Sequence, residues 1–159
     1  MKRVYSGISS FCEKIEEIRK DKKIVFTNGC FDIVHAGHIH LLKEAKKQGD
    51  VLIVGLNSDK SVKKIKGPLR PVINEKDRAA VLAELRSVDF VVFFNRETPY
   101  DLIKKIRPDI LVKGGEYCRD KIVGHDIVSD TRRIKMKKGF STTEIIKKAA
   151  ELSGKENAR

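Results

Sequence analysis

Two histidines stand three residues apart in the segment His35-Ala36-Gly37-His38, which follows the apolar run Ile24-Val25-Phe26. At the first turn of a helix, this spacing places both imidazoles on one side, beside unpaired N–H groups and the positive helix end. Such a site stabilises negative charge that develops on a phosphoryl group. The same pair can instead cap the helix, or bind a metal with Asp32, His40 or His125 as third ligand. The spacing alone does not decide between these roles.

Further segments with chemical potential follow other apolar runs, at the edge where ligands of parallel α/β sheets bind. Gly29 removes a side chain at a point where a phosphate can approach the backbone. The paired glycines of Lys113-Gly114-Gly115-Glu116-Tyr117 indicate either close approach of a ligand or a tight turn. Ser141-Thr142-Thr143 offers three hydroxyls at the start of a predicted helix, and capping needs only one of them.

A basic stretch follows Asn57-Ser58-Asp59, and it contains Lys60, Lys63, Lys64, Lys66, Gly67-Pro68 and Arg70. We predict a flexible cationic loop that clamps a triphosphate. A solvated surface loop is the more common structure for a cluster of lysines. The position after a predicted strand is what favours a functional role here.

Short, continuously apolar runs alternate with amphipathic stretches along the chain. The runs predict strands buried on both faces, at residues 24–26, 51–54, 90–94 and 110–112, with a weaker strand within 123–136. Helices are predicted over 11–20, 38–48, from a cap at Asn74 to about Ser87, from a cap at Thr98, and from Ser141. The last helix has a Ser141/Glu144 capping box and is expected to bury Ile145, Ile146 and Ala149.

This alternation predicts an α/β fold, a Rossmann-like doubly wound parallel sheet of about five strands with helices on both faces. The length of 159 residues fits one domain, which we place at 1–152, followed by a flexible C-terminal tail at 153–159. No internal repeat or domain linker stands out.

The composition limits the classes of partner. Lys and Arg exceed Asp and Glu by 34 to 22, which favours polyanions or small phosphorylated ligands. No arginine-rich or lysine-rich helical stripe and no interleaved aromatic residues indicate nucleic acid, so none is predicted as a partner. No run approaches the length of a membrane span, and the three scattered cysteines fit reduced thiols. We expect a cytoplasmic protein without membrane contact.

Three segments together resemble motifs of the cytidylyltransferase-like nucleotidyltransferases, whose HxGH and STT elements bracket the nucleotide site. They are Thr27-Asn28-Gly29-Cys30-Phe31-Asp32, His35-Ala36-Gly37-His38 and Ser141-Thr142-Thr143. The likeness runs from about residue 23 to about residue 150. The HxGH element alone is moderately specific, and the trailing STT at this distance makes the match strong.

Within that family, residues 57–59, 66–67 with 70–72, 111–117 and 141–146 are most similar to adenylyltransferases acting on D-glycero-D-manno-heptose 1-phosphate. These occur as stand-alone chains or as C-terminal parts of bifunctional kinase/adenylyltransferases. The resemblance implies transfer of AMP from ATP to this sugar 1-phosphate, with Mg²⁺ accompanying ATP and a homodimer as the usual assembly. Glycerol-3-phosphate cytidylyltransferases have Arg-Thr-Glu-Gly before their STT element, whereas this chain has Lys135-Met136-Lys137-Lys138-Gly139-Phe140. This departure favours the heptose branch.

The resemblance also implies roles for the matched residues. His35, His38 and Lys64 are expected to be catalytic, with the histidines stabilising charge on the α- and β-phosphates. The nucleotide and its phosphates are expected to contact Asn28, Gly29, Cys30, Phe31, Lys66, Lys113, Gly114, Gly115, Ser141, Thr142 and Thr143. The acceptor is expected to contact Asp32, Asn57, Arg78, Glu116 and Tyr117. A structural ion pair is an alternative role for Arg78, and no residue is expected to hold a metal.

Two other functions remain open from the sequence. One keeps the fold and changes the substrates, giving cytidylyl or adenylyl transfer to glycerol 3-phosphate, FMN or phosphopantetheine. The other is a nucleotide-binding or nucleic-acid-binding module without turnover. The presence of both histidines together with the STT segment argues against the second.

Overall fold

A parallel sheet forms the centre of the molecule. The computed structural model describes residues 3–116, 118–136 and 139–156, and the strand order among them is β1-β4-β3-β2-β5-β6. The strands are β1 (Val4–Tyr5), β2 (Ile24–Gly29), β3 (Val51–Asn57), β4 (Phe90–Phe94), β5 (Ile110–Gly114) and β6 (Asp130–Ile134). Every pairing between neighbours is parallel. The predicted fold class is confirmed.

Helices cover both faces of this sheet. They are α1 (Cys12–Arg19), α2 (Ala36–Lys46), α3 (Asp59–Lys66), α4 (Glu75–Glu84), α5 (Tyr100–Ile106) and α6 (Thr142–Glu156). Ile24 and Phe26 of β2 pack into the core on one face together with residues of α1 and α5. Val25, between them, joins the core on the other face with residues of α2 and α4. Burial on both faces explains why the strands are continuously apolar in sequence.

The sheet has one strand more than predicted. β1 spans only Val4 and Tyr5 and pairs with Val91 and Val92 at the edge beside β4. Two residues are too few to give a recognisable alternation or apolar run. The weak strand expected within 123–136 is present as β6, at the other edge.

The basic stretch after β3 is helical, so the prediction of a flexible loop over Lys60 to Lys66 is wrong. Ser58 caps α3, because its hydroxyl accepts the Ser61 N–H at 3.3 Å. Val62 is fully buried and anchors the helix, while the lysines project from its other faces. The helix ends at Gly67, whose φ of 97° suits a residue without a side chain.

Several helix details also differ from expectation. Pro99 and not Thr98 is the cap residue of α5, and no side chain bonds its first turn. Apolar spacing predicts that Val81, Leu82 and Leu85 face inward from α4, but Val81 is 46% exposed. α6 extends to Glu156, so residues 153–156 of the predicted tail are helical, and residues 157–159 lie outside the described ones.

The expected burial of α6 is wrong. Ile145 is 37% exposed, Ile146 is half-buried and Ala149 is exposed. One half of the predicted capping box is present, since the Ser141 hydroxyl accepts the Glu144 N–H at 3.5 Å. The apolar pattern therefore marks one face of a helix that the described part of the chain leaves largely uncovered. No helix in that part combines the length and apolar character needed to cross a membrane.

We expect Asn74→Ala to lower the free energy of unfolding by about 1 kcal/mol. The Asn74 side-chain oxygen accepts the N–H groups of Lys76 and Asp77, each at 3.0 Å, and these lose their acceptor in the variant. Denaturant unfolding followed by circular dichroism measures the change. Asn74→Ser is the matched control, because it keeps an acceptor and loses only the amide contact with Asp77. Equal losses in both variants would contradict the role of the cap.

Candidate functional site

A cleft opens at the carboxyl ends of β2 and β5. These strands are neighbours in the sheet, yet β3 lies beside β2 on one side and β6 lies beside β5 on the other. Ligands of doubly wound sheets bind where the connections diverge in this way. The cleft has a volume of about 560 Å³, a size suited to a nucleotide or another small molecule.

His35 and His38 stand at the entrance to α2, as the sequence predicts. His35 is the cap residue, and its Nδ1 accepts the backbone N–H of His38 at 3.4 Å. A neutral imidazole that accepts at Nδ1 carries its proton on Nε2. The first turn of α2 contains no acidic residue, so its positive end is uncompensated by a side chain.

The two imidazoles belong to a column of four stacked or tilted rings. The His35 and His38 ring centroids are 3.8 Å apart with an interplanar angle of 17°. Phe31 lies 5.1 Å from His38, and Phe140 lies 6.3 Å from His35. A Cβ on Gly37 would lie 3.1 Å from both the His35 ring and Phe140, so a larger residue would crowd the column. The column links the start of α2 to the residues that lead into α6.

Both histidines are neutral near pH 7. Burial, followed by the neighbouring His35, lowers the pKa of His38 from 6.5 to about 4, against a smaller opposing effect of the Ile33 backbone. Burial also lowers the pKa of His35. The pair therefore acts as N–H donors and not as two fixed cations.

Lys113 supplies a half-buried positive charge between β2 and β5. Its Nζ lies 3.2 Å from the Asn28 side-chain oxygen and 3.4 Å from the Asn28 backbone oxygen. Burial lowers the pKa of this ammonium. Its partners are neutral amide oxygens, so an anionic ligand in the cleft would bind this ammonium more strongly than they do.

Asp32 and the segment between α3 and α4 that it holds form the floor of the cleft. Protein donors already occupy both oxygens of the Asp32 carboxylate. The carboxylate accepts the Arg70 Nε–H at 2.6 Å, the Val72 N–H at 2.8 Å and the Ile73 N–H at 2.9 Å. Burial alone would raise the pKa of this carboxyl, and the hydrogen bonds from Ile73, Val72 and Arg70 lower it overall. Asp32 therefore remains ionised and holds the segment between α3 and α4.

Arg78 supports the floor from beneath. Its side chain is buried, and its guanidinium donates to the backbone oxygens of Ile73 and Cys30 and to the Asp59 carboxylate. Arg78 does not line the cleft. The structural ion pair that the sequence allowed is the contact observed, at 2.7 Å to Asp59.

Most of the predicted residues come together around the cleft. They are Asn28, Gly29, Cys30, Phe31, Asp32, His35, His38, Asn57, Lys66, Lys113, Gly114, Ser141, Thr142 and Thr143. Lys64 instead lines a neighbouring groove and lies 3.8 Å from Glu97. Gly115 and Glu116 follow β5 outside the lining, and Tyr117 lies outside the described residues. The roles expected for these residues stay predictions.

The cleft also contains residues that the sequence analysis did not assign to the site. They are Leu41, Ile65, Glu97, Thr98, Pro99, Lys121, Ile122, Val123, Met136 and Phe140, whereas Arg70, which also lines the cleft, was expected as part of the basic stretch. Thr98 and Pro99 follow the carboxyl end of β4, so the rule of strand ends could have found them. Lys121 and Met136 reach the cleft through tertiary packing, for which the local sequence contains no signal.

The described residues contain no group of three or more His, Cys, Asp or Glu side chains able to hold a metal ion. His35 and His38 therefore do not form such a group with Asp32, His40 or His125, which was the metal-site alternative. The Asp32 oxygens in particular are occupied by protein donors.

Comparison with known proteins gives a family and several relatives. The family model described as Cytidylyltransferase-like matches residues 26–148. The Bifunctional protein HldE of Campylobacter jejuni subsp. doylei is 61% identical over 130 residues, covering 82% of this chain and 28% of that protein. HldE of Aliarcobacter butzleri is 53% identical over 154 residues, covering 92% and 32%. The chain thus spans about a third of the length of these curated relatives.

Two solved structures share the fold. The lipopolysaccharide core biosynthesis protein from Thermoplasma volcanium GSS1 gives a TM-score of 0.62 at 32% identity, covering 73% of this chain and 98% of that one. The pantoate-beta-alanine ligase from Francisella tularensis gives 0.63 at 18% identity, covering 87% and 68%. The second likeness concerns the fold alone.

The lowered pKa of His38 predicts a specific loss of stability in acid. Between the ordinary pKa of 6.5 and the folded value of about 4, the unfolded chain binds more protons. The free energy of unfolding therefore decreases as the pH is lowered through this window, by about 3 kcal/mol at most from this group, and the contribution is complete above the window. Urea unfolding across the window measures this loss. We expect a shallower pH dependence in His38→Asn.

His40→Asn is the matched control for that measurement, because His40 lies on the same helix outside the cleft lining. It should keep the wild-type pH dependence. Parallel curves for the wild type and His38→Asn would contradict the assigned pKa.

Proposed function

The chain belongs to the cytidylyltransferase-like family, and from this premise we propose that it transfers AMP from ATP to D-glycero-D-manno-heptose 1-phosphate. The products are ADP-heptose and pyrophosphate. The observation that carries the proposal is the cleft in which two neutral histidine donors at α2 share one space with Ser141-Thr142-Thr143 at α6. Relatives named HldE, at 52–61% identity, support the heptose acceptor.

The reaction needs no nucleophile from the protein. A sugar 1-phosphate oxygen is already anionic near neutral pH, so no base has to remove a proton from it. This oxygen forms a bond to the α-phosphorus of ATP, and the bond from that phosphorus to the bridging oxygen of pyrophosphate breaks. Pyrophosphate leaves with the electron pair. Catalysis then depends on positioning and on stabilising charge as it moves towards the leaving group.

The cleft supplies the groups that such charge movement requires. The Nε2–H of His35 is fixed as a donor because Nδ1 accepts the His38 N–H. Lys113 adds a half-buried ammonium, and the hydroxyls and N–H groups at the start of α6 provide further donors. Partial burial strengthens these interactions compared with their strength in water.

Mg²⁺ is proposed as the ion that accompanies ATP. It typically binds through substrate phosphates, waters and one or two carboxylates. Glu97 lines the cleft, whereas the Asp32 oxygens are already engaged. The residues therefore fit an ion that arrives on the triphosphate better than one held by the protein. Such an ion would neutralise phosphate charge during the transfer.

Two expectations about the whole molecule stay predictions. The homodimer follows from the family resemblance, and the cytoplasmic location follows from the composition. Neither depends on the geometry of the cleft.

We expect His35→Ala and His38→Ala each to lower kcat by about 10² to 10³-fold, with much smaller changes in ATP affinity. The reason is that their N–H groups meet charge that develops only as the bond to pyrophosphate breaks. Steady-state kinetics and ATP titration measure the two effects separately. His40→Ala is the control and should keep wild-type turnover. Near-normal kcat in either histidine variant would remove that residue from the mechanism.

Pyrophosphate release from four nucleoside triphosphates tests the proposed function directly. The acceptors are heptose 1-phosphate, glycerol 3-phosphate, FMN and phosphopantetheine. We expect release with ATP and heptose 1-phosphate together. Faster release with CTP, or with another acceptor, would replace the substrate assignment while keeping the reaction class. Nucleotide binding without release from any pair would overturn the enzyme assignment.

A further inference from the structure

Arg70 occupies a distinctive position in the cleft. It lies between α3 and α4, lines the cleft beside Lys66, and has a side chain that is 18% exposed. Its Nε–H is bound to Asp32, and no other hydrogen bond or ion pair of the Arg70 side chain occurs within the described residues. The terminal Nη groups are therefore the donors that this guanidinium has left for a ligand.

Asp32 fixes the orientation of Arg70. The carboxylate is 2% exposed and lies 38 residues away in sequence. The N–H groups of Val72 and Ile73 hold the carboxylate as well, so it is anchored to the same segment that carries Arg70. A guanidinium held along one edge keeps a planar fork of donors, and this fork matches two oxygens of a phosphate.

The position of Arg70 distinguishes it from the other cationic groups. Lys113 lies near the end of β5 and the α6 start follows β6, whereas His35 and His38 follow β2. Arg70 and Lys66 belong to the chain that follows β3, on the other side of β2 in the sheet. In-line transfer requires the attacking oxygen and the leaving pyrophosphate on opposite sides of the α-phosphorus. Phosphate ligands carried by elements on different sides of β2 can meet this requirement.

We propose that Arg70 binds the phosphate of the acceptor and that Asp32 acts as its positioning residue. This assignment rests on the proposed function and deepens it, because it names the group that recognises the attacking phosphate. Arg70 is then a specificity-determining residue for acceptors that carry a terminal phosphate monoester. Asp32 makes no contact with the acceptor and acts through Arg70.

The charges along the cleft support this assignment. The charged side chains that line it are Lys66, Arg70, Lys113, Lys121, Asp32 and Glu97. Asp32 is ionised and buried, so removal of Arg70 would leave its negative charge facing an incoming dianion. Arg70 thus neutralises the floor and still presents donors above it. This double role predicts unequal effects in single and double variants.

Kinetics with separate variation of ATP and heptose 1-phosphate tests the proposal. We expect Arg70→Gln to raise the acceptor KM by about tenfold or more, with the ATP KM changed by less than about threefold. Arg70→Lys should fall between Arg70→Gln and the wild type, because an ammonium keeps the charge but loses the fork. Arg132→Gln, which breaks an Arg–Asp pair outside the cleft, is the matched control and should change neither constant.

A double-variant cycle tests whether Asp32 acts through Arg70. Asp32→Asn alone should raise the acceptor KM in the same direction as Arg70→Gln. In the Arg70→Gln background it should cause no further increase, and it should recover part of the loss by removing an unpaired charge. Additive increases in KM would show that Asp32 acts independently of Arg70. An equal rise in the ATP and acceptor KM values would overturn the assignment of Arg70.

A binding measurement separates this proposal from the proposed function and from misfolding. Calorimetry follows the binding of inorganic phosphate to the full chain saturated with a non-hydrolysable ATP analogue. The wild type and the variant are compared only if their melting temperatures agree. Arg70→Gln should weaken phosphate binding by about tenfold and leave analogue binding unchanged. If the wild type showed no turnover but phosphate binding still depended on Arg70, the heptose activity would be rejected and the role of Arg70 would stand. Unchanged phosphate affinity in Arg70→Gln would reject the role of Arg70.

Discussion

The divergence of β2 from β5 determines where everything else in the site can lie. Their ladder consists of two pairs, Val25 with Ile110 and Phe26 with Leu111, and it ends before either strand does. β2 and β3, by contrast, pair over six residues. Beyond the short ladder, the backbone of Asn28 has no partner strand on the β5 side, and the Lys113 ammonium lies close to its oxygens. The cleft is thus the gap that opens when two central strands separate, and a cation lies within it.

The charged residues of the floor stabilise the protein segments that border this gap. Buried Arg78 connects Ile73, Cys30 and Asp59, while Asp32 holds Arg70, Val72 and Ile73. Both networks tie the segment between α3 and α4 to the loop after β2. A buried guanidinium or carboxylate is tolerated only with such complete hydrogen bonding. The floor therefore keeps its shape through charged groups that the protein itself neutralises.

The central part of this arrangement could be predicted from sequence because it follows from local patterns. Continuous apolar runs located β2 and β5, and the residues after them therefore fell at the same edge. The helical character of α3 could not be read from its lysines, since it depends on the Ser58 cap and on burial of Val62. The exposure of α6 was equally hidden, because an apolar stripe does not say what covers it. Contacts such as Asp32 with Arg70 join distant segments and leave no local signal.

The ring column also explains the form of the motif that contains the histidines. Ala36 is exposed, so many side chains would be tolerated at the second position of the motif. A Cβ on Gly37 would lie 3.1 Å from the His35 ring and from Phe140, so a side chain at the third position would push against the ring column. The pattern H-x-G-H thus has one open position and one crowded position between its two histidines. The motif therefore reflects the packing around the start of α2 as well as the chemistry of its imidazoles.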